Sequence, residues 1–247
     1  DKSDIRYWHV LLGHASVKKL MQMQNRKMVD GMPAKFINTG KLDFCRVCWA
    51  AKMKRVSVKS GVRTSAVRKF QYVSTDLMEL NVRSIVGHFK WAVVYCDHWS
   101  RSKYVYGIQH KSDAYKTLEL FLNRVVYPSK STIETIQCDG GGEFQGWRYR
   151  GVMSANGISM NCSPAFTAAS NGLAERSVGM IANMTRALLK QANKPKSWWL
   201  WAAKTSCYLL NRLPTTGLSD MITPHELMTG KKPDLSHLRP WGSDMMM

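Results

Sequence analysis

Two histidines and two cysteines near the start of the chain constrain its fold more than any other feature. His9 and His14 form an H-x4-H pair, and Cys45 and Cys48 form a C-x2-C pair after a gap of 30 residues. Zinc in structural sites prefers four tetrahedral nitrogen and sulfur ligands, and a two-residue gap lets both thiolates of one turn face the same ion. The spacing predicts a small domain held by one structural Zn²⁺. The alternative is two buried cysteines with unconnected surface histidines.

The step between the two histidines also predicts the local backbone. A five-residue step on an ideal helix with 3.6 residues per turn separates two side chains by about 140°. A continuous helix would therefore not direct both rings toward one ion. Gly13 stands directly before His14, and we expect the helix to break there so that both rings turn inward.

The chain is strongly basic, and the excess lies mainly in its first part. It has 36 Lys and Arg against 17 Asp and Glu, a formal net charge of +19, and residues 1–69 hold 16 basic and 4 acidic residues. A hydrophobic fraction of 45% excludes a disordered chain. No apolar stretch suits a membrane span or a signal peptide, so we expect neither insertion nor secretion. The charge predicts a polyanionic partner, most commonly a nucleic acid.

Residues 52–69 carry a run of basic side chains without an acid. The basic residues of this segment are Lys52, Lys54, Arg55, Lys59, Arg63, Arg68 and Lys69. Serine, threonine and glycine residues interrupt any helical pattern, which is typical of a linker between domains. A run of this kind suits a polyanionic partner, the alternative being a solvated tether with no specific partner.

From Phe70 onward the pattern favours an α/β fold. The spacing predicts strands over 70–76, 89–96, 103–108, 133–138 and 158–162. It predicts helices from Asp113 to Pro128, over 144–155, from Asn171 as N-cap to about 194, and over 197–210. This order of elements predicts a mixed sheet with helices on both faces.

Three acidic residues lie where these predicted elements end or begin. Asp76 ends the first strand, Asp139 follows the fourth strand, and Glu175 lies in the first turns of the long helix. Acids at the ends of adjacent strands can meet a helix glutamate at one point, where divalent cations would offset their repulsion. Oxygen-only ligands favour Mg²⁺ or Mn²⁺. On spacing alone, surface or capping roles stay open.

Ten short motifs follow one another along the chain. They are Trp8-His9, Leu12–Ser16, Cys45–Cys48, Ser74–Leu77, Asp97–Arg101, Cys138–Phe144, Asn171–Arg176, Asn211–Pro214, Thr223–Glu226 and Leu238–Gly242. In sequence and order they closely resemble the integrase of copia-type LTR retrotransposons over nearly the whole chain. Gly140 and Ser177–Met180 depart from the family pattern, which has Asn and a basic, polar continuation there. Neither departure removes an expected metal ligand.

The resemblance implies four segments. They are a pre-integrase His2Cys2 zinc-binding domain at 1–51, the basic linker at 52–69, a ribonuclease H-like catalytic core at 70–194, and a helical extension with a C-terminal segment at 195–247. The implied fold class is α/β: a ribonuclease H-like mixed five-stranded sheet flanked by helices, preceded by a small helical zinc-binding domain.

The resemblance also implies an activity and its residues. The expected reaction is DNA strand transfer, with 3′-end processing as a second reaction of the same polynucleotidyl transferase. Asp76 would bridge two Mg²⁺ or Mn²⁺ ions, with Asp139 on one ion and Glu175 on the other. Glu143 is the rival carboxylate, interpreted as a structural or DNA-adjacent acid. Arg176 and Arg186 join the linker residues as expected DNA contacts.

The expected partner is double-stranded DNA, both the element ends and the host target. A homo-oligomer assembled on DNA is expected, acting in the nucleus after transport in a cytoplasmic particle. Because the chain begins at Asp1 without an initiator methionine, we expect a polyprotein segment or a decayed copy. Two alternatives stay open: a decayed or domesticated integrase that binds DNA without catalysis, and a ribonuclease H-like nuclease, which would not explain the zinc-binding domain.

Overall fold

The structure is a computed structural model that describes residues 2–37, 39, 45–51, 66–162, 171–215, 217–218 and 222–243. The chain divides into two compact units. Asp1–Arg55 and Ile181–Met247 form one, here called the helical unit, and Val56–Met180 forms the other, the sheet unit. Residues 181–194 thus belong to the helical unit, whereas the sequence assigned them to the core. The predicted domain bounds stay predictions.

The helices and strands follow in chain order. The α-helices are α1 (Ile5–Leu11), α2 (Val17–Asn25), α3 (Arg46–Ala51), α4 (Ala114–Phe121), α5 (Gly142–Gln145), α6 (Trp147–Ala155), α7 (Gly172–Gln191), α8 (Trp199–Leu210) and α9 (Pro224–Thr229). The strands are β1 (Tyr72–Glu79), β2 (Trp91–Asp97), β3 (Lys103–Ile108), β4 (Thr135–Cys138) and β5 (Ser159–Cys162). None of the described helices combines the length and apolar content needed to cross a membrane.

The strands of the sheet unit form one mixed sheet of five strands in the order β3-β2-β1-β4-β5. The first three strands pair antiparallel, whereas β4 pairs parallel with both β1 and β5. Parallel neighbours need a long crossover, and α5 with α6 supplies it between β4 and β5. The predicted fold class, a five-stranded mixed sheet flanked by helices, is confirmed.

Aromatic packing fixes α4 on the part of the sheet formed by β2 and β3. Strand β2 is almost entirely buried, and the rings of Tyr95 and Phe121 stack at a centroid distance of 4.6 Å. The buried Tyr95 hydroxyl pairs with Thr117 Oγ1 at 2.9 Å, so no polar atom of this ring is left without a partner. The result is a rigid frame for the acidic residues.

One predicted helix is split. The sequence predicted a single helix over 144–155, but α5 ends at Gln145 and α6 begins at Trp147. Gly146 between them has an extended backbone with ψ 145°, which interrupts the helical hydrogen bonds. The helix expected before Pro128 is present as α4, followed by a π-helical turn over Leu122–Val126 and a 3-10 turn over Tyr127–Ser129.

Side-chain caps begin three helices of the helical unit. Oxygens of Asp4, Ser16 and Thr223 accept backbone N–H bonds from the first turns of α1, α2 and α9 at 2.8, 3.4 and 3.1 Å. Such caps satisfy donors that a helix start leaves unpaired. Trp8 and Leu12 are fully buried, so α1 packs its apolar face inward and presents His9 beside it.

Candidate functional site

The four predicted zinc ligands lie together in the helical unit. His9 Nε2 and His14 Nδ1 are 3.0 Å apart, Cys48 Sγ is 3.3 Å from His9 Nε2, and Cys45 Sγ is 3.4 Å from His14 Nδ1. All four atoms lie within 4.8 Å of one another. Ligand atoms around a tetrahedral Zn²⁺ with ordinary bond lengths are about 3.3–3.8 Å apart. The cluster is therefore close to a zinc coordination shell.

The turn after α1 brings the two rings together. Helix α1 ends at Leu11, and Gly13 and His14 both have left-handed backbones with φ of 62° and 61°. The His14 N–H donates to the His9 carbonyl at 2.7 Å, and the two ring centroids are 4.8 Å apart. The helix break expected at Gly13 is present.

The outer nitrogen of each imidazole has a fixed acceptor. His9 Nδ1–H donates to the Ala15 carbonyl at 2.8 Å, and His14 Nε2–H donates to Gln191 Oε1 at 3.1 Å. A carbonyl oxygen has no proton to donate, so each outer nitrogen carries the proton of its neutral ring. The inner nitrogens, His9 Nε2 and His14 Nδ1, therefore carry lone pairs. Two lone pairs at 3.0 Å repel each other, whereas a cation between them would be bound by both. With two cysteine sulfurs beside them, these residues fit Zn²⁺.

Asp76 and Asp139 lie on neighbouring strands of the sheet unit in the same register. Ser74 of β1 is paired with Gln137 of β4, and each aspartate follows two residues later. Side chains alternate along strands spaced about 4.8 Å apart, so both carboxylates belong to the face that carries Ser74 and Gln137. The side chains of that pair meet at 3.4 Å. Asp76 on β1 and Asp139 directly after β4 thus occupy corresponding positions of the two chain segments.

Asn171 ties the start of α7 to β1. Asn171 is buried, and its Nδ2 donates to the Thr75 carbonyl at 3.1 Å. Glu175 N donates to the Asn171 carbonyl at 3.2 Å, so Glu175 lies one helical turn beyond this link. Asn171 occupies the N-cap position predicted for α7, which begins at Gly172, but among the described residues its Oδ1 accepts no hydrogen bond. Its amide positions the helix instead.

Burial and the charges of other acids both act on Asp76. Its pKa is raised from the ordinary 3.8 to about 6, chiefly because burial disfavours the carboxylate, while the Leu77 N–H opposes the rise. The negative charges of Asp139, Glu175 and Glu143 raise the pKa of Asp76 further. A bound divalent cation would remove this repulsion.

The carboxylates do not close into a cluster of their own. In the part of the chain that the structure describes, the His/Cys cluster is the one group of three or more potential ligands near enough to hold an ion. Mg²⁺ usually keeps several waters and binds one or two carboxylates together with substrate phosphates. The oxygen donors of Asp76, Asp139 and Glu175 therefore fit Mg²⁺ or Mn²⁺ in a site that a substrate completes.

Glu143 and Asp139 both approach the backbone at Gly141. Gly141 N donates to Asp139 Oδ1 at 3.3 Å. A Cβ atom at Gly141 would lie 3.0 Å from Asp139 Oδ1 and 2.9 Å from Glu143 Cδ. The absence of a side chain at Gly141 lets both carboxylates approach this backbone. Glu143 is a fourth acid here, and its exclusion from the ligand set stays a prediction.

A buried polar group next to the acids escaped the sequence analysis. Ser74 Oγ lies 2.6 Å from His98 Nε2 and 3.4 Å from Gln137 Oε1. The signal that could have indicated it is the two-residue spacing of Ser74 from Asp76 and of Gln137 from Asp139. This group supports the strand face from which the two aspartates project.

The predicted DNA contacts are only partly described. Five of the basic linker residues lie outside the described residues: Lys52, Lys54, Arg55, Lys59 and Arg63. Arg68 forms an ion pair with Glu134 and donates to the Thr132 carbonyl at 2.9 Å, so its charge is partly neutralised within the chain. Lys69 is half-buried.

The two arginines of α7 are both exposed. Arg176 is one residue from Glu175, and Arg186 lies further along the helix, where it hydrogen-bonds Asn183. Each keeps its charge at the surface, as contact with a phosphate requires. Their role in DNA binding stays a prediction.

Comparisons with known proteins point to one group. A family model described as the GAG-pre-integrase domain matches residues 1–53. The retrovirus-related Pol polyprotein from transposon RE2 of Arabidopsis thaliana is 30% identical over 236 residues, which cover 95% of this chain and 16% of that protein. The corresponding polyprotein from transposon TNT 1-94 of Nicotiana tabacum is 28% identical over 246 residues, 98% of this chain and 18% of that protein. The chain spans less than a fifth of the length of these relatives.

Two solved structures share the fold. One is a chain of the simian T-cell lymphotropic virus intasome in complex with PP2A regulatory subunit B56 gamma, with a TM-score of 0.57, 15% identity, and coverage of 75% of this chain and 63% of that chain. The other is the HTLV-2 integrase catalytic core domain in complex with magnesium in its trimeric form, with a TM-score of 0.51, 17% identity, and coverage of 66% and 99%. At these identities the likeness shows the fold alone.

The mixed five-stranded sheet has the ribonuclease H-like fold of these integrase structures, and the His/Cys cluster is consistent with a zinc-binding domain. The family model and the transposon relatives confirm the resemblance to copia-type LTR retrotransposon integrases that the sequence motifs indicated.

Proposed function

We propose that this chain is the integrase of a copia-type retrotransposon and that it catalyses divalent-metal-dependent transfer of DNA strands. Processing of 3′ ends would use the same site. The observation that carries the proposal is the pKa of Asp76, which burial raises to about 6 with a further contribution from the charges of Asp139 and Glu175. Acids held together at such a cost are typical of a functional site.

The chain's own residues orient the carboxylates. Leu77 N–H donates to Asp76 Oδ1 at 2.7 Å, and the hydrogen bond from Gly141 holds Asp139. Asp139 and Glu175 are exposed, whereas Asp76 is half-buried, so a DNA backbone can reach the acids from the solvent side. When bound, two divalent cations stabilise charge on the attacking and leaving oxygens of an in-line displacement.

The proposed partner is double-stranded DNA, held through phosphates. The net charge of +19 and the exposed arginines of α7 support a largely sequence-independent contribution to binding. The intasome and the trimeric core among the similar structures support assembly of several copies on DNA. We place the site of action in the nucleus, after transport in a cytoplasmic particle.

The His/Cys cluster is proposed to hold one structural Zn²⁺. Its sulfur and nitrogen donors already lie close together, and structural sites are closed in this way. The ion would stabilise the fold of the helical unit rather than take part in the reaction.

A strand-transfer assay tests the proposal. The full chain is incubated with Mg²⁺ or Mn²⁺, a labelled duplex that carries an element end and a plasmid target, and joined products are measured. We expect joining by the wild type and a loss of about 1000-fold in Asp139→Asn, because losing a metal ligand removes several kcal/mol of charge stabilisation. The Glu119→Gln variant, which changes an exposed glutamate of α4, should join DNA at the wild-type rate.

Three outcomes would replace the proposal. DNA binding without joining or cleavage would identify a decayed or domesticated DNA-binding protein. Cleavage of DNA without joining would identify a nuclease. Equal joining by the wild type and Asp139→Asn would show that the activity does not come from this site.

A further inference from the structure

One partner of the His/Cys cluster comes from far along the chain. The matched family segment ends at residue 53, yet the acceptor for His14 Nε2–H is Gln191 Oε1 at 3.1 Å, 177 residues away in sequence. Gln191 is the last residue of α7 and is half-buried. Both residues belong to the helical unit.

Close packing holds this partner in place. A Cβ atom at Gly13 would lie 2.9 Å from Met184 Cγ and Sδ and 3.2 Å from Leu209 Cδ1. The turn that carries His14 therefore packs against side chains of α7 and α8, and there is no room for a side chain at Gly13. Because Met184 lies two turns before Gln191 on the same helix, this packing also sets where the Gln191 amide stands.

A second link joins the same two parts of the helical unit. Asp30 N donates to the Pro233 carbonyl at 3.0 Å, and Leu235 N donates to the Asp30 carbonyl at 3.1 Å. These bonds make a short parallel bridge between Asp30 and Asp234. The segment that carries the metal ligands is thus bonded through its backbone to residues near the end of the chain.

We infer that Gln191 is a positioning residue of the zinc site and that residues of 181–243 complete the module to which residues 1–53 belong. The inference rests on the zinc part of the proposed function. Gln191 Oε1 accepts the Nε2–H of His14, which places the lone pair on Nδ1, the atom that faces Cys45 Sγ and His9 Nε2. A polar partner on the outer nitrogen fixes both the tautomer and the orientation of a metal-binding imidazole.

The mechanism predicts which replacements work. Leucine and lysine at position 191 offer no acceptor, whereas glutamate offers a carboxylate oxygen. Gln191→Leu and Gln191→Lys should therefore bind zinc about 10- to 100-fold more weakly, the usual effect of losing such a partner. Gln191→Glu should bind zinc at least as tightly as the wild type, because its carboxylate keeps an acceptor for His14 Nε2–H.

The experiment measures zinc affinity in the full chain by competition with a chromophoric chelator. A matched control is Gln24→Leu, which makes the same substitution at a half-buried glutamine of the helical unit whose Nε2 donates to the Pro33 carbonyl at 3.3 Å. We expect the control to keep the wild-type affinity. The absorption spectrum of the Co²⁺-substituted protein should change in Gln191→Leu and Gln191→Lys and be retained in Gln191→Glu and Gln24→Leu.

Equal zinc affinity in the wild type, Gln191→Leu and Gln191→Lys would overturn the inference. So would a Gln191→Glu variant that binds as weakly as Gln191→Lys. If Gln191→Leu does not fold, the difference in zinc affinity between Gln191→Glu and Gln191→Lys tests the inference. A wild-type chain that binds no zinc would instead contradict the zinc part of the proposed function, so the two failures are distinguishable.

Discussion

The two candidate metal sites differ in how complete they are without an ion. The four donor atoms of the His/Cys cluster already lie within 4.8 Å of one another, and the outer nitrogens of both rings have acceptors within the helical unit. In the sheet unit, burial and then the charges of the other acids raise the pKa of Asp76, but these acids form no closed group. The first arrangement is typical of a structural site and the second of a site that a substrate completes.

Loss of a ligand should therefore change stability in opposite directions at the two sites. A closed site gains its ion together with the fold, so losing a ligand should destabilise the unit. The half-buried carboxylate of Asp76 is costly without an ion, because burial and the charges of the other acids disfavour its ionised form, so neutralising it should stabilise the unit. Ligand substitutions therefore separate the two kinds of site without any measurement of activity.

The largest effect is expected for Cys48→Ser. Structural zinc contributes binding free energy of the order of 10 kcal/mol to folding in zinc-finger peptides, and whole domains are stable by only about 5–15 kcal/mol. The variant should therefore retain little zinc and lose most of the order of the helical unit. Metal analysis and hydrogen exchange on the full chain measure both quantities.

Cys162→Ser is the matched control for this change. Cys162 is half-exposed on β5 and lies outside the cluster, so its replacement should leave the zinc content unchanged. A Cys48→Ser chain with one zinc ion and unchanged exchange protection would show that the cluster is not a structural zinc site.

A smaller effect of opposite sign is expected for Asp76→Asn. The folded-state pKa of Asp76 is about 6 against an ordinary 3.8, so the folded chain binds this proton more tightly than the unfolded chain. The ionised carboxylate therefore lowers the free energy of unfolding of the wild type above pH 6, and this loss of stability becomes smaller as the pH falls toward 4. Asp76→Asn should raise the free energy of unfolding by about 1–3 kcal/mol at pH 8 and by little at pH 4.

Denaturant unfolding of the zinc-loaded chain without Mg²⁺ or Mn²⁺ measures this difference at both pH values. Glu119→Gln, which neutralises an exposed acid in the same unit, should change stability little at either pH. If Asp76→Asn instead lowered the free energy of unfolding at pH 8, the expectation would be contradicted. The Asp76 carboxylate would then stabilise the fold, as a zinc ligand does.

The smallest effects are expected at single phosphate contacts. Arg176→Gln should reduce the slope of log affinity against log salt by about 0.9, the value for one lost contact on duplex DNA. Arg68→Gln should reduce it less, because Glu134 already pairs with Arg68. Fluorescence anisotropy with duplex DNA over a range of KCl concentrations gives both slopes, and equal reductions would contradict the role assigned to the ion pair.

Much of the fold was predictable because its signals are local. Strand β3 has the predicted bounds, Lys103–Ile108, and the other strands differ by one to three residues at an end. Helix α9 was missed although Thr223, Pro224 and Gly230 are ordinary start and stop signals, because its six residues are too few to show a helical period.

The candidate sites were predictable only where a spacing revealed them. The H-x4-H and C-x2-C pairs lie together as expected, and each pair spans one end of a short helix: His14 follows α1, which carries His9, and Cys45 precedes α3, which carries Cys48. Gln191 could not be found in this way, since its contact with His14 depends on tertiary packing across 177 residues. The same reason applies to Asn171, whose side chain reaches β1 instead of capping its own helix.

The locations of the two metals test this account most directly. Crystals of the full chain soaked in Mn²⁺ and measured with anomalous scattering at the zinc and manganese edges would locate each ion separately. We expect zinc among His9, His14, Cys45 and Cys48. We expect manganese on Asp76 and Asp139, with Glu175 beside the manganese. Manganese on Glu143 in place of Glu175, or no zinc in the His/Cys cluster, would contradict it.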